Sequence, residues 1–238
     1  MKLSLHTRKL FQFYSDGPSH FTISALIALI QQTGVHAISI PMHSKLLEHE
    51  PFLQFIRSGI GITCIIECPQ NDQLLSAAIK LKPNMIILGD EESETSFTIN
   101  PFRNDIPVDL IKESILNLEA HNISAGIFME PDMKLIRSIK NLDLDWLVLS
   151  TVPLFESTDS NDVIMNLENL SNCVVAGKKL GMGISLSGDF PLDRLDLVQE
   201  ITHIDEIIVH EPFWSLTPLY GAIKTTELLM SHLKTKGN

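Results

Sequence analysis

Cysteine, positive charge and long apolar runs are all scarce in this chain of 238 residues. Cys64, Cys68 and Cys173 are odd in number and lack the paired spacing of zinc ligands, so neither a disulfide framework nor structural zinc is indicated. Lys and Arg number 18 against 29 Asp and Glu, which gives a formal charge of −11. Because phosphate backbones are bound by clustered cations, we do not expect a nucleic-acid partner.

Membrane, targeting and nucleotide-binding signals are also missing. Apolar runs such as Met85–Leu88 are too short to span a bilayer, and the N-terminal MKLSLHTRKLF lacks the apolar stretch and cleavage site of a secretory signal. The motifs GxGxxG and GxxxxGK[ST] do not occur. We therefore expect a cytoplasmic protein without a membrane partner or a cofactor, acting on a small molecule.

One unit recurs along the chain, namely a short apolar run, a polar turn and a longer stretch with helical spacing. Most of the runs are continuously apolar, as buried parallel strands are. This alternation predicts a single (β/α)₈ TIM barrel over residues 1–238, with an open doubly wound sheet as the alternative. The eight predicted strands are Lys2–Leu5, Ala37–Pro41, Gly61–Glu67, Met85–Leu88, Ser124–Met129, Trp146–Ser150, Gly181–Leu186 and Glu206–His210.

The connections between these strands differ in length. Thr7–Phe21, Gly89–Ile106 and Thr151–Asn161 are longer than a barrel needs, and all three follow strand ends, where the loops of this fold build the binding face. The last two predicted helices cover Leu192–Thr202 and Leu219–Leu233. Asn71 and Asp132 are expected at the starts of two earlier helices.

Polar residues at the carboxyl ends of the strands are the candidates for the functional site, because these ends meet at one mouth. Glu67 closes the apolar run ITCII, and we expect burial to raise its pKa and suit it to proton transfer. His43 and His210 are the candidate catalytic histidines. Predicted contacts to substrate are His6, Thr151, Ser187, Gly188, Asp189 and Glu211.

Four stretches of the chain resemble pyridoxine 5'-phosphate synthases: QQTGVHAISI, IIECPQNDQLLSAAIKLKPNMIIL, KKLGMGISLSGD and IDEIIVHEPF. In that family a glutamate ends strand three and a Lys-Pro pair precedes strand four. Glu67, Lys82 and Pro83 match this spacing. The resemblance covers most of the chain at low identity.

The resemblance implies a (β/α)₈ barrel that assembles as a homo-oligomer. Family enzymes condense deoxyxylulose 5-phosphate with an aminoacetone phosphate to close the pyridine ring of vitamin B6, and they require no metal. A glutamate and two histidines move the protons, and Glu67 matches the glutamate. Pro41 stands where the family has its strand-two histidine, and His43 follows two residues later. At strand seven LSGDF replaces the family's AGHG, and at strand eight His210-Glu211 replaces Gly-His.

Two other functions remain open from the residues alone. His43, Glu67, Glu130 and His210 offer mixed nitrogen and oxygen ligands, so a metal-dependent lyase or isomerase is one alternative. A non-catalytic barrel that serves as a binding scaffold is the other, because a fold does not fix a function.

Overall fold

The computed structural model describes residues 1–14, 20–48, 50–93 and 98–233, and within them eight parallel strands form a closed barrel in the order β1-β10-β9-β8-β7-β4-β3-β2. This confirms the barrel and excludes the open sheet. Two short antiparallel strands, β5 and β6, form a hairpin outside the barrel. The strands are β1 Lys2–His6, β2 Ala37–Pro41, β3 Thr63–Pro69, β4 Met85–Gly89, β5 Glu92–Ser93, β6 Thr98–Ile99, β7 Ser124–Met129, β8 Trp146–Ser150, β9 Gly183–Gly188 and β10 Glu206–Val209.

Helices follow or flank the strands and cover the outside of the barrel. They are α1 Arg8–Tyr14, α2 His20–Ile30, α3 Glu50–Gly59, α4 Asp72–Lys80, α5 Val108–Ala120, α6 Met133–Ile139, α7 Val152–Glu156, α8 Ser160–Lys179, α9 Asp196–Gln199, α10 Glu211–Tyr220 and α11 Ala222–Leu233. Among the described residues, none of these helices has the length and apolar character needed to cross a membrane.

Local side chains set several of the helix starts. The Asn71 side chain accepts the backbone N–H groups of Gln73 and Leu74, each at 3.0 Å, and caps α4. Asp132 caps α6 through the N–H of Lys134 at 2.7 Å. Both expected helix starts are therefore confirmed.

Three elements differ from the sequence-based prediction. The predicted helix over Leu192–Thr202 is only a 3₁₀ turn, Leu192–Arg194, followed by the four-residue α9. The helix predicted over Leu219–Leu233 begins only at Ala222, as α11, because the chain turns at Gly221, whose φ is 77°. A separate helix that was not predicted, α10, begins directly after the last strand and places its N-terminus at the barrel mouth. The long connections after β1 and β8 also contain short helices, α1 and α7.

The inside of the barrel is divided between apolar and polar side chains. Apolar residues from β2, β3, β4, β7, β8 and β10 form one interior cluster, which includes Ile65, Ile87 and Phe128. On β1, β9 and β10 the buried polar side chains are Ser4, His6, Ser185, Ser187 and Glu206. At the end of the barrel away from the mouth, the buried Glu206 accepts hydrogen bonds from Ser4 Oγ at 2.5 Å and Ser185 Oγ at 2.8 Å. These three strands are therefore exceptions among strands that are mostly continuously apolar.

Candidate active site

A buried hydrogen-bonded cluster lies at the carboxyl ends of β1, β2 and β3. Glu67 Oε2 lies 2.9 Å from His6 Nε2, and Glu67 Oε1 accepts the Ser39 hydroxyl at 2.6 Å. All three residues are at most 3% exposed. His6 ends β1 and Glu67 lies near the end of β3. Because β2 pairs in parallel with both strands, the sheet brings together two residues that are 61 positions apart in the chain.

The backbone fixes the proton on the His6 ring. The N–H of Arg8 donates to His6 Nδ1 at 3.0 Å, so Nδ1 carries a lone pair and the ring hydrogen belongs on Nε2. Nε2–H then donates to the Glu67 carboxylate. The carbonyl of His6 accepts the indole N–H of Trp214 at 2.9 Å, which ties β1 to α10.

The pKa of Glu67 is lowered from its ordinary value. Burial acts to raise this pKa, but the His6 side chain, the hydrogen bond from Ser39 and the charge of Arg8 together outweigh it. Our prediction of a raised pKa was therefore wrong, because it considered desolvation and not the donors that face the carboxylate. Glu67 is ionised near neutral pH and can act as a base without first losing a proton.

A second histidine lies against this cluster. The rings of His6 and His210 stack with centroids 4.2 Å apart and planes 26° from parallel. His210 Nε2 lies 2.9 Å from Ser187 Oγ, while its buried Nδ1 makes no hydrogen bond to any residue that the structure describes. Burial, followed by the neighbouring His6 ring and the charge of Arg8, holds the pKa of His210 well below its usual value. The ring is therefore neutral near pH 7.

A cavity of about 130 Å³ lies beside His210 at the mouth of the barrel. The connection Gly89–Ile106, which we had singled out as a long mouth loop, supplies one wall through its described residues Ile99 and Asn100. Ile99 is buried and packs into the interior cluster, so this connection covers part of the mouth with an apolar side chain. The remaining lining residues are Arg8, Thr98, Pro101, Arg103, Phe128, Ser150, Val152, Ser187, Gly188, Asp189 and His210.

Asp189 links three elements at the edge of this cavity. Its Oδ2 accepts the Arg8 guanidinium at 2.6 Å, and its Oδ1 accepts the backbone N–H of Glu211, the first residue of α10, at 2.9 Å. The Glu211 carboxylate lies 2.8 Å from Lys9 Nζ. Two cations and two carboxylates therefore balance each other at this rim.

Gly188 allows β8 and β9 to approach closely where the mouth begins. Its φ is 156°, and a Cβ at this position would lie 2.3 Å from Thr151 Oγ1. Thr151 donates its backbone N–H to the Ser187 carbonyl at 3.0 Å, so it is not free to move away. The glycine therefore preserves the spacing of Thr151, Ser187 and Asp189.

We expect Gly188→Ala to lower the free energy of unfolding by about 3 kcal/mol, because it adds both an unfavourable φ and a steric clash. Urea denaturation followed by circular dichroism measures the change. Gly34→Ala is the control: Gly34 is in the left-handed region with φ 88°, and no atom lies within 4 Å of the added Cβ, so we expect a loss of only about 1 kcal/mol. If Gly188→Ala is as stable as the native chain, the Thr151 side chain can move away from the added Cβ without cost, and the steric argument is wrong.

The family described as pyridoxal phosphate biosynthesis protein PdxJ matches residues 24–227. The chain belongs to the PdxJ family. Among curated relatives, it is 22% identical to pyridoxine 5'-phosphate synthase of Geotalea uraniireducens over 198 residues, which is 83% of each chain. It is 20% identical to that of Geobacter metallireducens over 88% of each chain.

Solved structures agree with the fold of this PdxJ-family chain. The 3-hexulose-6-phosphate synthase of Salmonella typhimurium superposes with a TM-score of 0.63 at 11% identity, covering 98% of both chains. KGPDC of Streptococcus mutans superposes with a TM-score of 0.67 at 10% identity, covering 99% of both chains. At these identities the likeness establishes the barrel alone.

Most of the predicted site residues meet at this mouth in the PdxJ-family chain. Glu67, His6, His210 and Ser187 form the buried cluster, while Gly188, Asp189, Thr151 and Glu211 lie beside it. His43 is buried after the end of β2, where its Nδ1 accepts the N–H of Lys45 at 3.2 Å, and it does not line the cavity. Its catalytic role stays a prediction.

Two participants were not among the predicted site residues. Ser39 lies two residues before Pro41, and the period of two along β2 places both on the same side of the strand. A serine inside the run AISIP was therefore a usable signal. Arg8 lies in the predicted mouth connection Thr7–Phe21, but no sequence pattern pairs it with Asp189, which is 181 positions away.

The alternative metal site is not assembled. Within the described ranges no three or more His, Cys, Asp or Glu side chains lie close enough together to hold a metal ion. Glu130, one of the four ligands considered, instead pairs with Arg103 at 3.1 Å. His43, Glu67, Glu130 and His210 therefore do not form a common ligand set.

Proposed function

We propose that this chain catalyses a ring-closing condensation of the pyridoxine 5'-phosphate synthase type, joining small keto and amino-keto substrates in vitamin B6 biosynthesis. The observation that carries the proposal is the ionised, buried Glu67 held by His6 and Ser39 at the mouth of a PdxJ-family barrel. Ring closure through imine formation and dehydration requires repeated proton transfers to and from carbon and oxygen. A fixed carboxylate beside two imidazoles supplies groups for such transfers.

The proposed roles follow from the protonation states of the three groups. Glu67 takes a proton from substrate carbon, because its lowered pKa keeps it ionised. His6 donates to Glu67 through Nε2–H and orients its carboxylate. His210 is neutral and its Nδ1 has no hydrogen-bond partner among the described residues, so it exchanges a proton with a substrate hydroxyl or imine nitrogen. We thus propose that His6, and not the candidate His43, is the histidine that acts together with Glu67.

The substrate-contacting residues are proposed from the cavity lining. Ser187, Gly188 and Asp189 follow one another at the end of β9 and border the cavity. Thr151 and Glu211 lie directly behind them, joined to Ser187 and Asp189 by hydrogen bonds. We also propose that the chain assembles as a homo-oligomer, as the resemblance implies, and light scattering of the purified protein measures this mass.

The direct test is product formation by the purified protein. Deoxyxylulose 5-phosphate and an aminoacetone phosphate, each supplied with and without its phosphate group, are incubated with the protein and analysed by mass spectrometry for pyridoxine or pyridoxine 5'-phosphate. We expect catalytic turnover of at least one combination. A folded protein that turns over none of them, beside an active pyridoxine 5'-phosphate synthase as positive control, would overturn the proposal.

A non-catalytic binding barrel is the second candidate, and one observation favours it. Both oxygens of Glu67 already have protein partners, and its side chain is only 5% exposed, as expected of a carboxylate that stabilises the barrel. A catalytic Glu67 must exchange one of these partners for substrate. Turnover that depends on Glu67 decides between the two candidates.

A further inference from the structure

The rim of the mouth contains an anion position that the chain fills with its own side chain. The Arg8 guanidinium and the N–H of Glu211 at the start of the ten-residue α10 both donate to one carboxylate, that of Asp189. A guanidinium beside a helix N-terminus is a combination that binds phosphate, because both present N–H donors and positive potential. In this chain the two oxygens of Asp189 accept these hydrogen bonds, Oδ2 from the guanidinium and Oδ1 from the backbone N–H.

The cations at this rim could bind an anion, but carboxylates of the same chain neutralise them. Arg8 is mostly buried, with 18% of its side chain exposed, and its buried Nε has no partner among the described residues. Lys9 is paired with Glu211, so Asp189 is the carboxylate that balances Arg8. Removing the charge of Asp189 takes from Arg8 the carboxylate that its guanidinium contacts directly and leaves its N–H donors available beside the N-terminus of α10.

This position is continuous with the cavity beside His210. Arg8, Gly188 and Asp189 all line that cavity. His210, which is 6% exposed, has a ring nitrogen, Nδ1, without a partner in the part of the chain that the structure describes. A ligand group that entered beside His210 would therefore meet the Asp189 carboxylate. A phosphate there would face repulsion from Asp189 and would have to displace it from both donors.

We propose that Asp189 is a specificity residue that occupies the anion subsite beyond β9 and β10, so that the substrate is uncharged or cationic at this end. The inference rests on the proposed function for the identity of the reaction. The expected phosphate binding at the rim does not depend on that function. It specifies the substrate class as a keto or amino-keto compound that lacks phosphate where it meets Asp189. Loss of the Asp189 carboxylate converts the rim into a phosphate-binding site.

The test measures binding of inorganic phosphate to the whole chain by isothermal titration calorimetry, at constant ionic strength and without substrates. We expect Asp189→Gly to bind phosphate at least tenfold more tightly than the native chain. Asp189→Asn removes the charge but keeps an oxygen for the Glu211 N–H, so we expect a smaller gain from it. Adding Arg8→Met to Asp189→Gly should abolish the gain.

The matched control is Glu227→Gln, which removes one negative charge from an exposed pair with Lys224 on α11. We expect no gain in phosphate binding from this change. Equal binding by the native chain and by folded Asp189→Gly and Asp189→Asn would overturn the proposal, as would an equal gain in Glu227→Gln. Because no turnover is measured, failure here is distinct from failure to form product.

Discussion

Replacing Glu67 with Gln will lower the turnover number of the proposed condensation by about 10²- to 10⁴-fold, the usual contribution of a positioned acid or base. The amide keeps the size and part of the hydrogen bonding of the carboxylate, but it cannot take up a proton. The decrease will therefore appear in kcat more than in KM. Steady-state rates of product formation, measured with the native chain and the variant, give both values.

Glu206→Gln is the matched control for this substitution. Glu206 is also inside the barrel, is 3% exposed and accepts two serine hydroxyls, but it lies at the end away from the mouth. The same change in a similar environment should leave kcat close to the native value. If Glu67→Gln and Glu206→Gln have equal effects on kcat, Glu67 is a structural carboxylate and the binding-barrel candidate gains support.

The sequence could predict the barrel because its strands carry a local signal. Each run of apolar residues is long enough to form a buried strand, and helical stretches alternate with these runs. The helix α10 was missed for an equally local reason. Its sequence EPFWSLTPLY contains Pro212 and Pro218, which resemble loop residues, although Pro212 lies in the first turn, where it costs no hydrogen bond.

The candidate site could be predicted in position but not in electrostatics. The ends of β1, β3, β9 and β10 located His6, Glu67, Ser187 and His210, because parallel strands in a barrel end at one mouth. The pKa of Glu67 depends on Ser39 and His6, which are 28 and 61 positions away in the chain. No sequence pattern pairs such residues, and burial alone indicates the wrong direction.

Replacing His6 with Leu will lower the free energy of unfolding by about 3 kcal/mol at pH 7, because it leaves a buried carboxylate without its main donor. The variant also removes the acceptor of the Arg8 N–H and the ring that stacks on His210. Urea denaturation of the native chain, His6→Leu, Glu67→Leu and the double variant forms a double-mutant cycle. We expect the double variant to lose about 2 kcal/mol less than the sum of the single losses.

The pH dependence of this cycle identifies the charged group. The native pKa of Glu67 lies below its ordinary value of 4.5, so the unfolded chain takes up the proton first as the pH falls. The stabilisation from the ionised carboxylate is therefore complete above pH 4.5 and is lost as the pH falls through the lower native pKa. We expect the His6–Glu67 coupling energy to be equal at pH 7 and pH 6 and smaller at pH 4. A coupling energy that does not fall between pH 6 and pH 4 would contradict the lowered native pKa of Glu67.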